Sequence, residues 1–205
     1  MLTTFSLPNP HAMAAVRAVA DCRERVELAD GRRVIVCPVD PRDAPAEQAF
    51  IGALSQDSRY RRFHFGLREL PPDMLRAMTE IDQRLHVALV ARNAAAPGTL
   101  VADARYVRDE DDGGDSAEFA VAIADAWQGA GLGREMLRRL AVHAGRHGVR
   151  RIHGDVLWGN EPMLGLVRGL GGSFERHPTD ATLVRAVFDV DMAAAPLRWQ
   201  VPFAI

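Results

Sequence analysis

Along the 205-residue chain, short runs with a two-residue apolar repeat alternate with longer runs of helical period. The Ala-rich first twenty residues are broken by Pro8 and Pro10. They predict a mobile start and then a short helix over 12–23. Apolar runs over 25–28 and 33–39 flank Asp30-Gly31, a strong hairpin signal. A turn at 40–43 leads into helices over 45–54, 59–65 with Ser58 as cap, and 74–81, the last opened by Pro71-Pro72-Asp73. Strands follow over 86–91 and 100–107, joined by a turn at Pro97-Gly98, and a third over 118–123 after the polar loop 109–115. The glycine-rich segment 128–133 opens a helix over 134–146, where Leu137, Leu140, Ala141 and Ala144 share one face. A strand over 151–157, a helix over 162–170 stopped at Gly171-Gly172, and a strand over 182–191 complete the pattern.

This order predicts an α+β fold with one parallel crossover, neither a succession of βαβ units nor a barrel. No internal repeat is present. The boundaries are an extension at 1–24, one domain at 25–192 and a tail at 193–205. Hydrophobic residues at 48% supply enough core for a domain without staples. A formal charge of -2 argues against a polycationic nucleic-acid binder. All 25 basic residues are arginine, so every mechanism that needs a protein lysine is excluded, including Schiff-base catalysis, Ser–Lys nucleophiles and the P-loop. Two cysteines, Cys22 and Cys37, cannot form a disulfide framework or a four-cysteine zinc site. No membrane span or export signal is visible, so a cytoplasmic location without membrane contact is expected.

Chemistry concentrates in residues 117–133, AEFAVAIADAWQGAGLG. A strand enters a glycine-rich turn that opens a helix. That arrangement aims backbone N–H groups and the positive end of a helix dipole at one place, which suits a phosphate. Gly131 and Gly133 let an anion approach the backbone closely. The dinucleotide pattern G-x-G-x-x-G fails, because counting from Gly129 and Gly131 its third glycine position holds Arg134.

What remains is Gln128-x-x-Gly131-x-Gly133, which resembles the pyrophosphate-binding signature of the GNAT superfamily of N-acetyltransferases. A second match follows in the strand over 151–157, then Asn160-Glu161-Pro162-Met163, then a helix ending at Gly171. Further matches run in order: Asp30…Val34, Pro38…Asp43, Leu54-Ser55…Tyr60, Arg62-Phe63, Thr79…Asp82, Ala88…Ala91 and Ala117…Val121. Together they cover about Arg25 to Met192 and are similar to the GNAT domain of bacterial protein acetyltransferases. Those domains are often fused to an acyl-CoA-synthetase-like or cyclic-nucleotide-binding unit, whereas here a domain standing alone is expected.

The resemblance implies a mixed, mostly antiparallel sheet flanked by helices, with acetyl-CoA as cosubstrate and no metal. It implies that Gln128, Gly129, Ala130, Gly131, Leu132, Gly133, Arg134 and Asn160 hold the coenzyme, with Val121, Ala122 and Ile123 offering backbone donors on a splayed strand. It also implies that Glu118 is the general base. An amine acceptor has a pKa near ~10.4 and must lose a proton before attacking the thioester. A carboxylate against an apolar strand can have its pKa raised for that task. Many family members use a tyrosine as leaving-group acid. Counted from Asn160, that place is Val167, and the only tyrosines are Tyr60 and Tyr106. The acceptor that the resemblance implies is a protein lysine, with a small-molecule amine or a non-catalytic acyl-CoA-sensing role as alternatives. A homodimer is left open.

Other residues have blander readings. Asp155 and His153 share a strand face and are either a second acid/base or hydrogen-bonded structural groups, the reading favoured for polar residues in strands. Arg59, Arg61 and Arg62 either bind an acidic substrate or the cofactor, or form a solvated helical face. The acidic run 109–115 is read as a solvated loop in preference to a site for a basic protein. Arg134, Arg138 and Arg139 lie near the expected phosphates, and only Arg134 is expected to contribute, through its backbone. Trp127 and Trp158 are read as packing residues. His86, His143 and His147 share no metal-ligand spacing with either cysteine.

Overall fold

A computed structural model describes residues 24–190. The helix expected over 12–23, most of the N-terminal extension, Cys22 and the C-terminal tail lie outside the described residues. The Asp30-Gly31 turn joins β1 (Glu24–Glu27) to β2 (Arg33–Pro38), with Gly31 at φ 82° and the Asp30 carboxylate accepting from the Arg32 amide at 3.0 Å. Helices α1 (Ala44–Ala53), α2 (Gln56–Phe63) and α3 (Pro72–Thr79) follow. Next come β3 (His86–Asn93), β4 (Leu100–Arg108), β5 (Ser116–Ile123), α4 (Leu132–Arg146) and β6 (Arg151–Leu157). The described chain ends with α5 (Glu161–Gly169), β7 (Ser173–Arg176) and β8 (Leu183–Asp189).

The strands form one sheet in the order β1-β2-β3-β4-β5-β6-β8-β7, antiparallel except between β5 and β6. Each face carries a core. On one face Leu132, Met136, Leu137 and Leu140 of α4 and Leu164 of α5 pack against Val87, Leu89, Tyr106 and Phe119. On the other, Phe50 and Ile51 of α1 and Met78 of α3 cover Ala88, Val90 and Ala122. β3 and β4 are buried on both faces, so their sequence reads as continuous apolar runs and not as alternation. The mostly antiparallel α+β sheet with a single parallel crossover matches the expectation.

Two expectations need correction. α2 begins at Gln56, not Arg59, and its cap is Ser55, whose hydroxyl oxygen accepts from the Ser58 amide at 3.1 Å. It stops at His64, which adopts the left-handed region at φ 58°. A strand at Ser173–Arg176 was not expected. It is four residues long, pairs with β8, and has only Phe174 partly buried, too little for an alternation signal.

Candidate active site

β5 and β6 pair only over three rungs, Ser116↔Arg151, Ala117↔Ile152 and Glu118↔His153. Beyond that β5 continues to Ile123 paired only with β4, and β6 continues to Leu157 paired only with β8. The two strands therefore part like a V whose vertex is Glu118. Gly154 sits at the closing point, where an added Cβ would lie 2.8 Å from the Phe119 carbonyl oxygen. A cavity of about 740 Å3 fills the opening. Its walls are the β5 segment from Glu118 to Ile123, the β6 segment from Gly154 to Val156, the end of α2 and its cap, the loop before α4, and the start of α5.

The loop before α4 leaves backbone donors open to the cavity. Gly129 and Gly131 have φ of 77° and 89°, and an added Cβ at either would meet nothing within 4 Å. Gly131 occupies the N-cap of α4, and no side chain caps that helix. Its first amide groups therefore keep their donors for a ligand. The side chain of Gln128 turns inward, donating to the Ile123 carbonyl at 3.1 Å and to Ser58 Oγ at 3.3 Å. The side chains of Ala130 and Leu132 are buried in the core, so only their backbones can serve a ligand. Arg134 lines the cavity, and its guanidinium donates to the Gly169 carbonyl at 2.6 Å. Asn160 also lines the cavity and caps α5, with Oδ1 accepting from the Met163 amide at 3.3 Å.

On β5, the side chains of Val121 and Ile123 pack against the α4 side while that of Ala122 faces the α1 side, and the backbone of all three borders the cavity. Their strand edge is unpaired toward β6, as the splayed-strand expectation requires.

Two carboxylates line the cavity. Asp155 is engaged: Arg185 Nε donates to Oδ1 at 3.0 Å, and His177 Nε2 lies 3.2 Å from Oδ2. His177 Nδ1 accepts from the Asp180 amide at 2.8 Å, so the proton sits on Nε2 and the ring donates to Asp155. Burial works to raise the Asp155 pKa, but Arg185 and His177 outweigh it and hold the carboxyl below its ordinary range. This is the structural role expected for Asp155, and His153 has a similar one beside Asp109 at 2.9 Å. Glu118, at the vertex, has no hydrogen-bond or ion-pair partner among the described residues. Its side chain is exposed, so the apolar enclosure expected around it is not present.

The end of α2 contributes wall residues that the sequence left undecided or unremarked. Ser58, Arg61, Arg62, Phe63 and His64 face the cavity. Arg59 turns away and donates to the Leu54 and Leu67 carbonyls. Arg138 and Arg139 are held by Glu135, and Arg139 also by Glu24. Trp127 packs partly buried under the Arg32 guanidinium at 4.4 Å, whereas Trp158 is 55% exposed and does not pack as expected. Val167 is fully buried in the core. No tyrosine lines the cavity: Tyr106 is buried with its hydroxyl 3.0 Å from His143 Nδ1, and Tyr60 is exposed elsewhere. Among the described residues no group of three or more His, Cys, Asp or Glu side chains is placed to hold a metal ion. Nor is any described helix long and apolar enough to cross a membrane.

Comparison with known proteins agrees with this geometry. The profile of the Acetyltransferase (GNAT) family matches residues 53–171. The chain is 33% identical over 181 residues to Acetyltransferase PA5475 of Pseudomonas aeruginosa, covering 87% of this chain and 96% of that protein. It is 32% identical to Acetyltransferase Pat of Mycolicibacterium smegmatis over 80% of this chain but 48% of that one, so it spans about half of that relative. The crystal structure of the GNAT domain of S. lividans PAT superposes with a TM-score of 0.76 at 29% identity, covering 83% of this chain and 98% of that one. The fold also matches yncA from Salmonella typhimurium, solved with its cofactor acetyl-CoA, with a TM-score of 0.60 at 22% identity over 81% of this chain and 99% of that one.

Proposed function

Starting from the premise that this chain belongs to the acetyltransferase (GNAT) family and is an acetyl-CoA-dependent acetyltransferase, we propose that it acetylates protein lysine side chains with Glu118 as general base. The carrying observation is the contrast between the two cavity carboxylates: Asp155 is committed to Arg185 and His177, while Glu118 is unengaged.

The cavity fits the coenzyme. The backbone from Gly129 to Arg134 offers the uncapped start of α4 to a pyrophosphate, and open space surrounds both positive-φ glycines. The free strand edge over Val121–Ile123 offers N–H groups for pantetheine and thioester oxygens. Asn160 and the first turn of α5 close the opposite side. Bound acetyl-CoA supplies the activated acetyl group.

Glu118 takes the proton that the acceptor ammonium must lose, directly or through one water. Its exposed place at the mouth suits a lysine delivered on a long side chain from a protein surface. The likeness of segments such as Ala117…Val121 and Leu54-Ser55…Tyr60 to bacterial protein acetyltransferases supports that acceptor. With no phenol in the cavity, the thiolate leaves unassisted by tyrosine, which a thiol pKa near ~8.5 permits.

The test is free-thiol release from acetyl-CoA with lysine-bearing proteins and peptides beside a panel of small amines. Transfer to protein lysines at the higher kcat/KM supports the proposal. Preference for a small amine replaces the acceptor, and coenzyme binding without transfer to any amine makes the chain a sensing module.

A further inference from the structure

Arg62 lines the cavity, and no acidic group among the described residues engages its guanidinium directly. Its side chain comes from the last turn of α2 and its carbon centre lies 4.9 Å from the Phe63 ring. Nε is fully enclosed and has no hydrogen-bond partner, and no ion pair reaches the residue among the described residues. The other arginines nearby are satisfied: Arg61 meets Asp57 at 2.7 Å, and Arg105 donates from Nε to Asp103 at 2.9 Å and from a second nitrogen to its other oxygen.

The charges behind Arg62 do not offset it at close range. Asp103, the strongest attracting charge, is already held by Arg105 in a two-point pair. Glu47 is wholly buried, makes no hydrogen bond, and is 3.9 Å from Arg105. Burial and the charge of Asp103 push the Glu47 carboxyl up to about 8, so it is mostly uncharged at neutral pH. His86, on the far side of Arg105, is held neutral by burial and by Arg105. Glu118 attracts Arg62 only at longer range and faces solvent at the rim. In front of Arg62 the sheet is small: Ala120 and Ala122 stand opposite Arg105 and Asp103, leaving room for a substrate group.

We infer that Arg62 is the carboxylate-binding residue of this cavity, receiving a free carboxylate carried by a substrate. The guanidinium fork matches a carboxylate at two points, and a partly buried cation whose enclosed Nε has no partner gains from such a ligand. The carboxylate has two sources, the distal end of a dicarboxylic acyl chain on coenzyme A or a carboxylate on the amine acceptor. The inference rests on reading the cavity as the acyl-transfer site. The amine nitrogen bonds to the thioester carbonyl carbon and the carbon–sulfur bond breaks. Sulfur leaves with the electron pair and takes a solvent proton. The ammonium gives one proton to Glu118 before attack, the nitrogen releases a second to solvent as the amide forms, and the substrate's free carboxylate is unchanged.

Two paired comparisons on the full chain separate the sources. Calorimetry compares succinyl-CoA with butyryl-CoA, which has the same carbon count and no carboxylate. Kinetics with acetyl-CoA compare Nα-acetyl-lysine with its neutral amide. In one arm the carboxylate form is expected to be favoured about tenfold or more, as for a charge-assisted pair. That ratio should fall about tenfold in Arg62→Met and by less in Arg62→Lys, with circular dichroism confirming the fold. Absence of a carboxylate preference in both wild-type arms overturns the inference. So does a preference unchanged in folded Arg62→Met or, if that variant does not fold, in Arg62→Lys. The binding arm reads Arg62 without any acceptor, so failure of every amine to react counts against the proposed acetyl transfer and leaves this result standing.

Discussion

The carboxylate of Asp125 accepts from both the backbone amide and the hydroxyl of Ser55, at 2.8 and 2.7 Å across seventy residues of sequence. Ser58 donates to the same carboxylate at 2.7 Å, and Gln128 reaches Ser58 Oγ. The glycine-rich loop before α4 and the start of α2 are thereby one hydrogen-bonded unit. Burial opposes the charge on Asp125, yet the serine donors hold its carboxyl below the ordinary range. Asp125→Ala is expected to lose about 1–3 kcal/mol of stability in urea titrations, the usual cost of breaking bonds to a charged group. It should also raise the acceptor KM more than the coenzyme Kd, because the clamp positions α2, whose last turn lines the cavity on the side proposed for the acceptor. Unchanged stability and KM would show that the clamp is not used.

The proposed phosphate site in this glycine-rich loop makes its own prediction at Gly131. Its φ of 89° strains any other residue, so Gly131→Ala is the control for backbone cost and Gly131→Asp adds a negative charge at the α4 N-cap. Calorimetry should show modest weakening of CoA binding in the first and loss of binding in the second, with both folded. Near-equal affinities would remove the pyrophosphate from this loop.

Much of this site is legible in the sequence because it is local. The strand, glycine turn and helix from 116 to 146 follow one another, and period two on β5 places Glu118 on the face opposite the core residue Phe119. What was not legible depends on partners far along the chain. Ser55 and Ser58 are equally good caps by composition, and the fold sets Asp125 against both. That Asp155 is committed is decided by Arg185 on β8 and by His177 in a loop whose own amides fix its tautomer. Arg62 looks like any arginine of a polar helix until the sheet beneath it is seen to hold Asp103 already paired. β7 is too short and polar to register, and becomes a strand only because β8 offers it an edge.

Glu118→Gln should lower kcat about a hundredfold with CoA affinity retained, the scale of lost general-base catalysis. The defect should shrink as pH approaches the acceptor pKa, because more amine arrives deprotonated. Asp155→Asn should instead lower stability, since Arg185 and His177 lose their anion. A pH-independent defect in Glu118→Gln, measured by single turnover, would move the base elsewhere.

Stability should depend on pH from two directions. Burial, assisted by nearby cations, lowers His143 to about 3 and His86 to about 4. The unfolded chain binds those protons near ~6.5, so this contribution is full above that pH and is lost as pH falls toward 4 and 3. Glu47 runs oppositely. Its folded carboxyl, at about 8, binds a proton that the unfolded one releases near 4.5, so its contribution is full below 4.5 and is lost as pH rises through 8. Each active group gives a slope of about 1.4 kcal/mol per pH unit. Glu47→Gln should therefore match the wild type near pH 4.5 and exceed it at pH 8 in urea titrations. Equal curves at both pH values would mean that Glu47 finds a partner at alkaline pH.

Tyrosine should be dispensable for the chemistry. Tyr106 is wholly buried on the α4 face of β4, where its hydroxyl meets His143 Nδ1 at 3.0 Å, and burial raises its pKa far above the ordinary phenol value. That face is opposite the one on which Ala120, Ala122 and Glu118 border the cavity. Tyr60 is exposed and outside the cavity wall. The position counted from Asn160 for a leaving-group acid is Val167, sealed in the core. Tyr106→Phe should lose about 1 kcal/mol of stability, because it removes the buried hydroxyl that meets His143 Nδ1, and keep its single-turnover rate. Tyr60→Phe should change neither. The alkaline limb of the wild-type profile should then rise with amine deprotonation and level off, without a phenol pKa near ~10. A hundredfold fall in single-turnover transfer for either variant, with CoA binding intact, would show that a tyrosine reaches the thiolate in a conformation unlike this one.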